Sequence, residues 1–132
     1  MKKFIPVNEP LILKQDIVNI KKTLEEGWVS AEGPNVKIFE NEFSKFIGHK
    51  YAVTVANGTA ALEIAVQSLN LPKSSEVIIP NFTIFSNAIA CLKNDLKIKP
   101  IDCSKFDWNM NLQLILKNIT SKTKLIIATH IY

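Results

Sequence analysis

Val53-Thr54-Val55-Ala56-Asn57-Gly58-Thr59-Ala60-Ala61-Leu62 opens on a β-branched run, turns through Asn57-Gly58 and continues into small residues. Leu62, Ala65, Val66 and Leu69 then recur at helical spacing. The pattern predicts a strand over Tyr51–Ala56, a tight turn, and a helix from Thr59 to about Leu69. The first amides of such a helix have no intrahelical acceptor and carry partial positive charge, so an anion fits there. Gly58 lets an oxyanion approach the backbone with no Cβ in the way. Thr59 can add a hydroxyl donor or act as the helix N-cap. Two readings fit: a phosphate cradle, or an ordinary strand-to-helix turn that Thr59 caps.

On either side the pattern is regular. Residues 1–10 carry two prolines and no periodicity, as an extended arm does. Leu13 to Glu26 predicts a helix with Ile17, Ile20 and Leu24 on one face, stopped by Gly27. A loop from Trp28 to Pro34 leads to a second helix, from about Asn35 to Phe46. Its stripe is Val36, Phe39, Phe43 and Phe46. The arm and this stripe are expected to be poorly buried. After Tyr51–Ala56 come strands at Glu76–Pro80, Lys97–Asp102 and Lys124–Thr129. Helices are expected at Thr83–Leu92, with Thr83 as cap, and at Leu112–Ile119. Four strands alternating with helices predict an α/β fold with a mainly parallel sheet flanked by helices. We divide the chain into an arm with two helices, 1–50, and an incomplete α/β domain, 51–132.

Composition narrows the function. The chain has 132 residues, 47% hydrophobic and 21% charged, enough for a real core. The net charge is +4 and all sixteen basic residues are lysines. With no arginine for bidentate contacts and no lysine cluster, nucleic acid is not an expected partner. Cys91 and Cys103 fit no metal spacing and predict two buried free thiols. No stretch has the length of a signal peptide's apolar core or a membrane span, so a cytoplasmic protein without membrane contact is expected. The sequence stops at His130-Ile131-Tyr132, just after a strand, where an α/β sheet normally continues. The expectation is the N-terminal part of a longer protein; a domain that simply ends on a strand is the rival.

Gly27-Trp28-Val29-Ser30, Gly33, Phe39-Glu40, Asn57-Gly58-Thr59-Ala60-Ala61-Leu62, Glu76-Val77-Ile78-Ile79-Pro80, Thr83 and Thr129-His130-Ile131-Tyr132 stand in one order and spacing. In these residues the chain resembles the DegT-type nucleotide-sugar aminotransferases, the perosamine-synthase-like members most closely, over essentially its whole length. The resemblance implies the N-terminal part of the large domain of a fold-type I pyridoxal 5′-phosphate enzyme. It implies a homodimer that transfers an amino group from glutamate to a nucleotide-linked keto sugar for surface polysaccharide biosynthesis. Gly58, Thr59 and Ala60 match the segment that holds the cofactor phosphate. Ile84 stands where many members present an aromatic to the cofactor ring, with Phe85 next. The family's usual Gly-Asp before the Glu-Val strand is Ser74-Ser75 here.

The resemblance implies a substrate region at the Trp28–Gly33 loop, including Ser30; a surface loop anchored by Trp28 is the alternative. His130 follows a strand end, where α/β ligands bind, and reads equally as a structural histidine. No catalytic residue and no metal ligand is expected here, because the family's Schiff-base lysine and the aspartate at the pyridine nitrogen lie downstream of Tyr132. Alone, the chain is expected to be inactive. Two other readings stay open: an inactive or regulatory binding protein of the same fold, and a sugar dehydratase with histidine in place of that lysine. A nucleotide-binding module fits less well, because no Gly-Lys-Ser/Thr follows the glycine turn.

Overall fold

The computed structural model describes residues 4–131; Met1–Lys3 and Tyr132, with the sequence expectations that fall on them, lie outside the described residues. The chain divides into two compact units, Met1–Thr54 and Val55–Tyr132.

The first unit holds α1 (Lys14–Glu25) and α2 (Pro34–Phe46). Leucine at position 13 offers no side-chain oxygen to cap α1, so the end is closed in reverse: Asp16 Oδ2 accepts from the Leu13 amide at 2.8 Å. Gly27 stops α1 at φ +76°, a conformation that glycine adopts without a Cβ clash. Gly33 and Pro34 open α2, the proline at a position that needs no N–H. Both helices are amphipathic, yet neither buries an apolar side chain. Ile17, Ile20, Leu24, Phe39, Phe43 and Phe46 are exposed, as are Phe4, Ile5 and Val7 of the arm. The arm and the α2 stripe are poorly buried, as the sequence predicts.

The second unit contains α3 (Gly58–Ser68), β1 (Glu76–Pro80), α4 (Ser86–Lys93), β2 (Lys97–Ile101), α5 (Leu112–Asn118) and β3 (Thr123–Ile126). The three strands form a parallel sheet in the order β2-β1-β3. β1 is central, and its unbroken apolar run is what a parallel strand covered on both faces requires. Val77 and Ile79 pack with Val66 of α3, with Ala88, Ala90 and Cys91 of α4, and with Leu96. Ile78 points the other way, to Ile101 and to Ile115 of α5. Every buried apolar side chain among the described residues belongs to this unit. β1 connects to β2 through α4, and β2 crosses back through α5 to β3 on the far side of β1. β1 thus lies where the strand order reverses, and ligands of open α/β sheets bind at the carboxyl ends of the strands at such a point.

The structure corrects several sequence expectations. Tyr51–Ala56 is not a strand. A strand exists through pairing, and the sheet offers this segment no neighbour. The Thr54 amide instead donates to Glu40 Oε1 at 2.7 Å, and Tyr51 and Val53 are exposed. Among the described residues the sheet therefore has three strands rather than four. α4 starts at Ser86, not Thr83, and Thr83 does not cap it. β3 ends at Ile126, although the Ile127 amide still donates to the Ile78 carbonyl at 2.9 Å. Cys91 and Cys103 are both free, but only Cys91 is buried, and burial pushes its thiol pKa up. Ser74 takes up φ +63°, a turn conformation more often given to glycine.

Candidate cofactor and substrate site

The first turn of α3 places Gly58, Thr59 and Ala60 in succession. Asn57, not Thr59, is the N-cap: its Oδ1 accepts from the Ala60 amide at 2.9 Å. Asn57 is extended at φ −168°, the usual cap geometry, and its carbonyl accepts from the Ala61 amide. The cap thus consumes the third amide and leaves those of Gly58 and Thr59 as the unpaired donors of the turn. A Cβ built on Gly58 would meet nothing within 4 Å, so open space lies beside them. Two free amides, a helix N-terminus and room for a tetrahedral group meet the requirements of a phosphate site.

Released from capping, the Thr59 hydroxyl lies 2.7 Å from the Ser86 hydroxyl at the start of α4. The next residue, Asn87, is buried and donates through Nδ2 to Thr129 Oγ1 at 2.7 Å and to Thr83 Oγ1 at 3.2 Å. Ser86 and Asn87 together tie the first turn of α3 to the segment that follows β3. Sequence reasoning missed both. The available signal was two small polar residues just ahead of the apolar run Ala88–Leu92, where side chains that bond to their surroundings collect.

Ile84 lies in the turn before α4 and is 70% exposed. It borders a shallow pocket with Pro80, Asn81, Thr83 and Phe85 at the carboxyl end of β1. Phe82 leans on Trp108 with ring centroids 5.1 Å apart, next to the same strand end. His130 is exposed on the rim of an apolar pocket formed by Met110, Leu112, Ile115, Ile126 and Ala128. Trp28 and Ser30 belong to the first unit. Trp28 is 44% exposed, and its side chain packs over Gly33, where an added Cβ would come within 3.3 Å of the Trp28 Cβ and 3.5 Å of its indole Cε3. Ser30 Oγ accepts from the Glu32 amide at 3.4 Å. The structure thus gathers Gly58, Thr59, Ser86, Asn87, Thr83 and Thr129 into one connected set.

Residues 10–132 match the family model described as DegT/DnrJ/EryC1/StrS aminotransferase family. GDP-perosamine synthase of Escherichia coli O157:H7 is 32% identical over 98% of this chain and 36% of its own length. The spore coat polysaccharide biosynthesis protein SpsC of Bacillus subtilis is 34% identical over 96% of this chain and 32% of its own. Among solved structures, Spr1654 of Streptococcus pneumoniae, described as a putative sugar aminotransferase, aligns in its PLP form with TM-score 0.80 at 29% identity. That alignment covers 92% of this chain and 31% of that one. The E. coli GDP-4-keto-6-deoxy-D-mannose-3-dehydratase shares the fold at TM-score 0.84, with 24% identity, over 93% of this chain and 33% of its own. The chain spans about a third of the length of the relatives it matches.

Proposed function

We propose, from the premise that this chain belongs to the DegT/DnrJ/EryC1/StrS aminotransferase family, that its protein is a pyridoxal 5′-phosphate-dependent sugar aminotransferase. The amino donor is glutamate and the acceptor a nucleotide-linked keto sugar destined for a surface polysaccharide. The working form is a homodimer. The observation that carries this reading is the first turn of α3: the Asn57 cap takes only the Ala60 amide, and the space beside Gly58 is open. The cofactor's phosphate fits those donors. When bound, the cofactor supplies an electron sink at the carbon that loses its proton. The chain's own residues hold and orient it. The amides of Gly58 and Thr59 and the Thr59 hydroxyl grip the phosphate, and Ile84 covers the ring with an apolar branched chain in place of an aromatic. Trp28, Ser30 and His130 are proposed for the substrate region. The lysine that anchors the cofactor is proposed to lie outside these residues.

The test uses the protein expressed from its full reading frame. Titration with pyridoxal 5′-phosphate, followed by absorbance, should saturate at one site per chain. Glutamate should then yield 2-oxoglutarate in the presence of a GDP-linked keto sugar. A hydrogen bond to a charged group is worth roughly 1.5–3 kcal/mol, so Thr59→Ala should weaken cofactor binding about ten-fold to a hundred-fold. Gly58→Val should weaken it more. Because an added Cβ there meets no protein atom, a loss already present in Gly58→Ala reports on the ligand rather than on the fold. Binding unchanged in both variants would remove the cradle, and a deoxy keto sugar with release of ammonia, in place of an amino sugar, would remove the aminotransferase.

A further inference from the structure

Ser86 and Thr59 present two hydroxyls 2.7 Å apart, each at the start of its own helix, and neither has another hydrogen-bond partner among the described residues. Each hydroxyl owns one hydrogen and can accept two. In the absence of a ligand either can be the donor. An anion at the free amides of Gly58 and Thr59 removes that freedom, because it can only accept. If Thr59 gives its hydrogen to the anion, the bond between the two hydroxyls must be supplied by Ser86.

We propose that Ser86 is a positioning residue for the cofactor phosphate: its hydroxyl donates to Thr59 Oγ1 and leaves the Thr59 hydrogen free for a phosphate oxygen. The proposal rests on the phosphate-cradle reading above and adds to it a residue from a second helix. The ligand chemistry is that of a phosphate monoester. The two bonds run in one direction and polarise each other, so the terminal donor is strengthened toward the anion. Ser86 also connects the cradle to α4, whose next residue, Asn87, is fixed to Thr83 and Thr129. Phosphate grip is thereby joined to the segments that carry Ile84 and His130.

The experiment measures equilibrium binding of pyridoxal 5′-phosphate and of pyridoxal, which lacks the phosphate, by quenching of tryptophan fluorescence in the full-reading-frame protein. Ser86→Ala should weaken pyridoxal 5′-phosphate roughly three-fold to ten-fold and leave pyridoxal unchanged. Ser86→Thr should restore binding. In the Thr59→Val background, Ser86→Ala should add almost nothing, because the two groups act as one relay. If Ser86→Ala weakens both ligands equally, or adds its full effect on top of Thr59→Val, Ser86 does not work through Thr59. If Thr59→Val lowers the preference for the phosphorylated ligand and Ser86→Ala does not, the cradle stands and the role of Ser86 falls. If the parent protein binds both ligands equally, the cradle itself falls. Circular dichroism melting of each variant separates loss of fold from loss of grip.

Discussion

Glu40 shows how a single side chain stands in for missing secondary structure. Its Oε1 accepts from the Thr54 amide at 2.7 Å and from the Thr54 hydroxyl at 2.8 Å. The amide contributes most and the hydroxyl next to holding the carboxyl below its ordinary value of 4.5, while the nearby Lys37 adds a little. A carboxyl with a depressed folded pKa contributes stability that is present above the unfolded value. That contribution is lost as the pH falls through the folded value. The Glu40 contribution should therefore be complete at neutral pH and disappear on the acid side of 4.5. Glu40→Gln removes it. Thermal midpoints followed from about pH 7 to about pH 3 should fall more steeply in the parent protein than in the variant. Parallel curves would show that the carboxylate is not titrating against Thr54. Nothing in the spacing of Glu40 and Thr54 announces this bond, because the two are fourteen positions apart and not on one helix face. By contrast, the helix start at Gly58 is legible in the sequence, because a glycine turn before an apolar helical pattern is a local signal.

Helices and strands differ in how much of them the sequence discloses. α2 and α3 fall within a residue or two of their expected bounds, because amphipathic spacing and the glycines that end a helix are local signals. β1 has its expected bounds, since a run of buried β-branched residues between turns fits little else. Tyr51–Ala56 carries a similar pattern and is no strand. Its status depends on a neighbour, and the sheet, ordered β2-β1-β3, provides none. The cap of α3 is Asn57 where the sequence also allows Thr59, because both are good caps and only the backbone geometry of the turn chooses between them. The choice has measurable consequences. Asn57→Ala should destabilise the second unit by about 1 kcal/mol, and Asn57→Asp should not, because it keeps the accepting oxygen. Ile78 is completely buried in β1, and Ile78→Ala should cost about 2–5 kcal/mol. Urea denaturation read as shifts in midpoint at constant slope tests both. A Thr59→Ala loss as large as that of Asn57→Ala would return the capping role to Thr59.

The two units differ sharply in how they are held together. In Val55–Tyr132 a central strand is covered on both faces, and β1, α4 and α5 each bury at least one apolar side chain. In Met1–Thr54 two amphipathic helices bury none among the described residues. Phe46 is 87% exposed, and Phe39 and Phe43 stack on each other with centroids 5.6 Å apart while remaining open to solvent. An apolar stripe of this kind costs roughly 25 cal/mol for every Å² left in water, so it drives association with whatever apolar surface is available. The 132-residue polypeptide of 14.8 kDa, expressed by itself, should therefore scatter light as a species larger than one chain. Limited proteolysis should cut within residues 4–54 first, because opening that unit exposes little new apolar surface, whereas 55–131 must lose its core to be cut. Replacing Phe39 and Phe46 together by Lys should bring the scattering mass down toward one chain without moving the melting of the sheet unit. A monodisperse species of 14.8 kDa that resists protease along its whole length would mean that the stripes are satisfied within one chain. Association that survives the double substitution would move the sticky surface elsewhere, and the apolar rim around Leu112, Ile126 and His130 would be the next face to change.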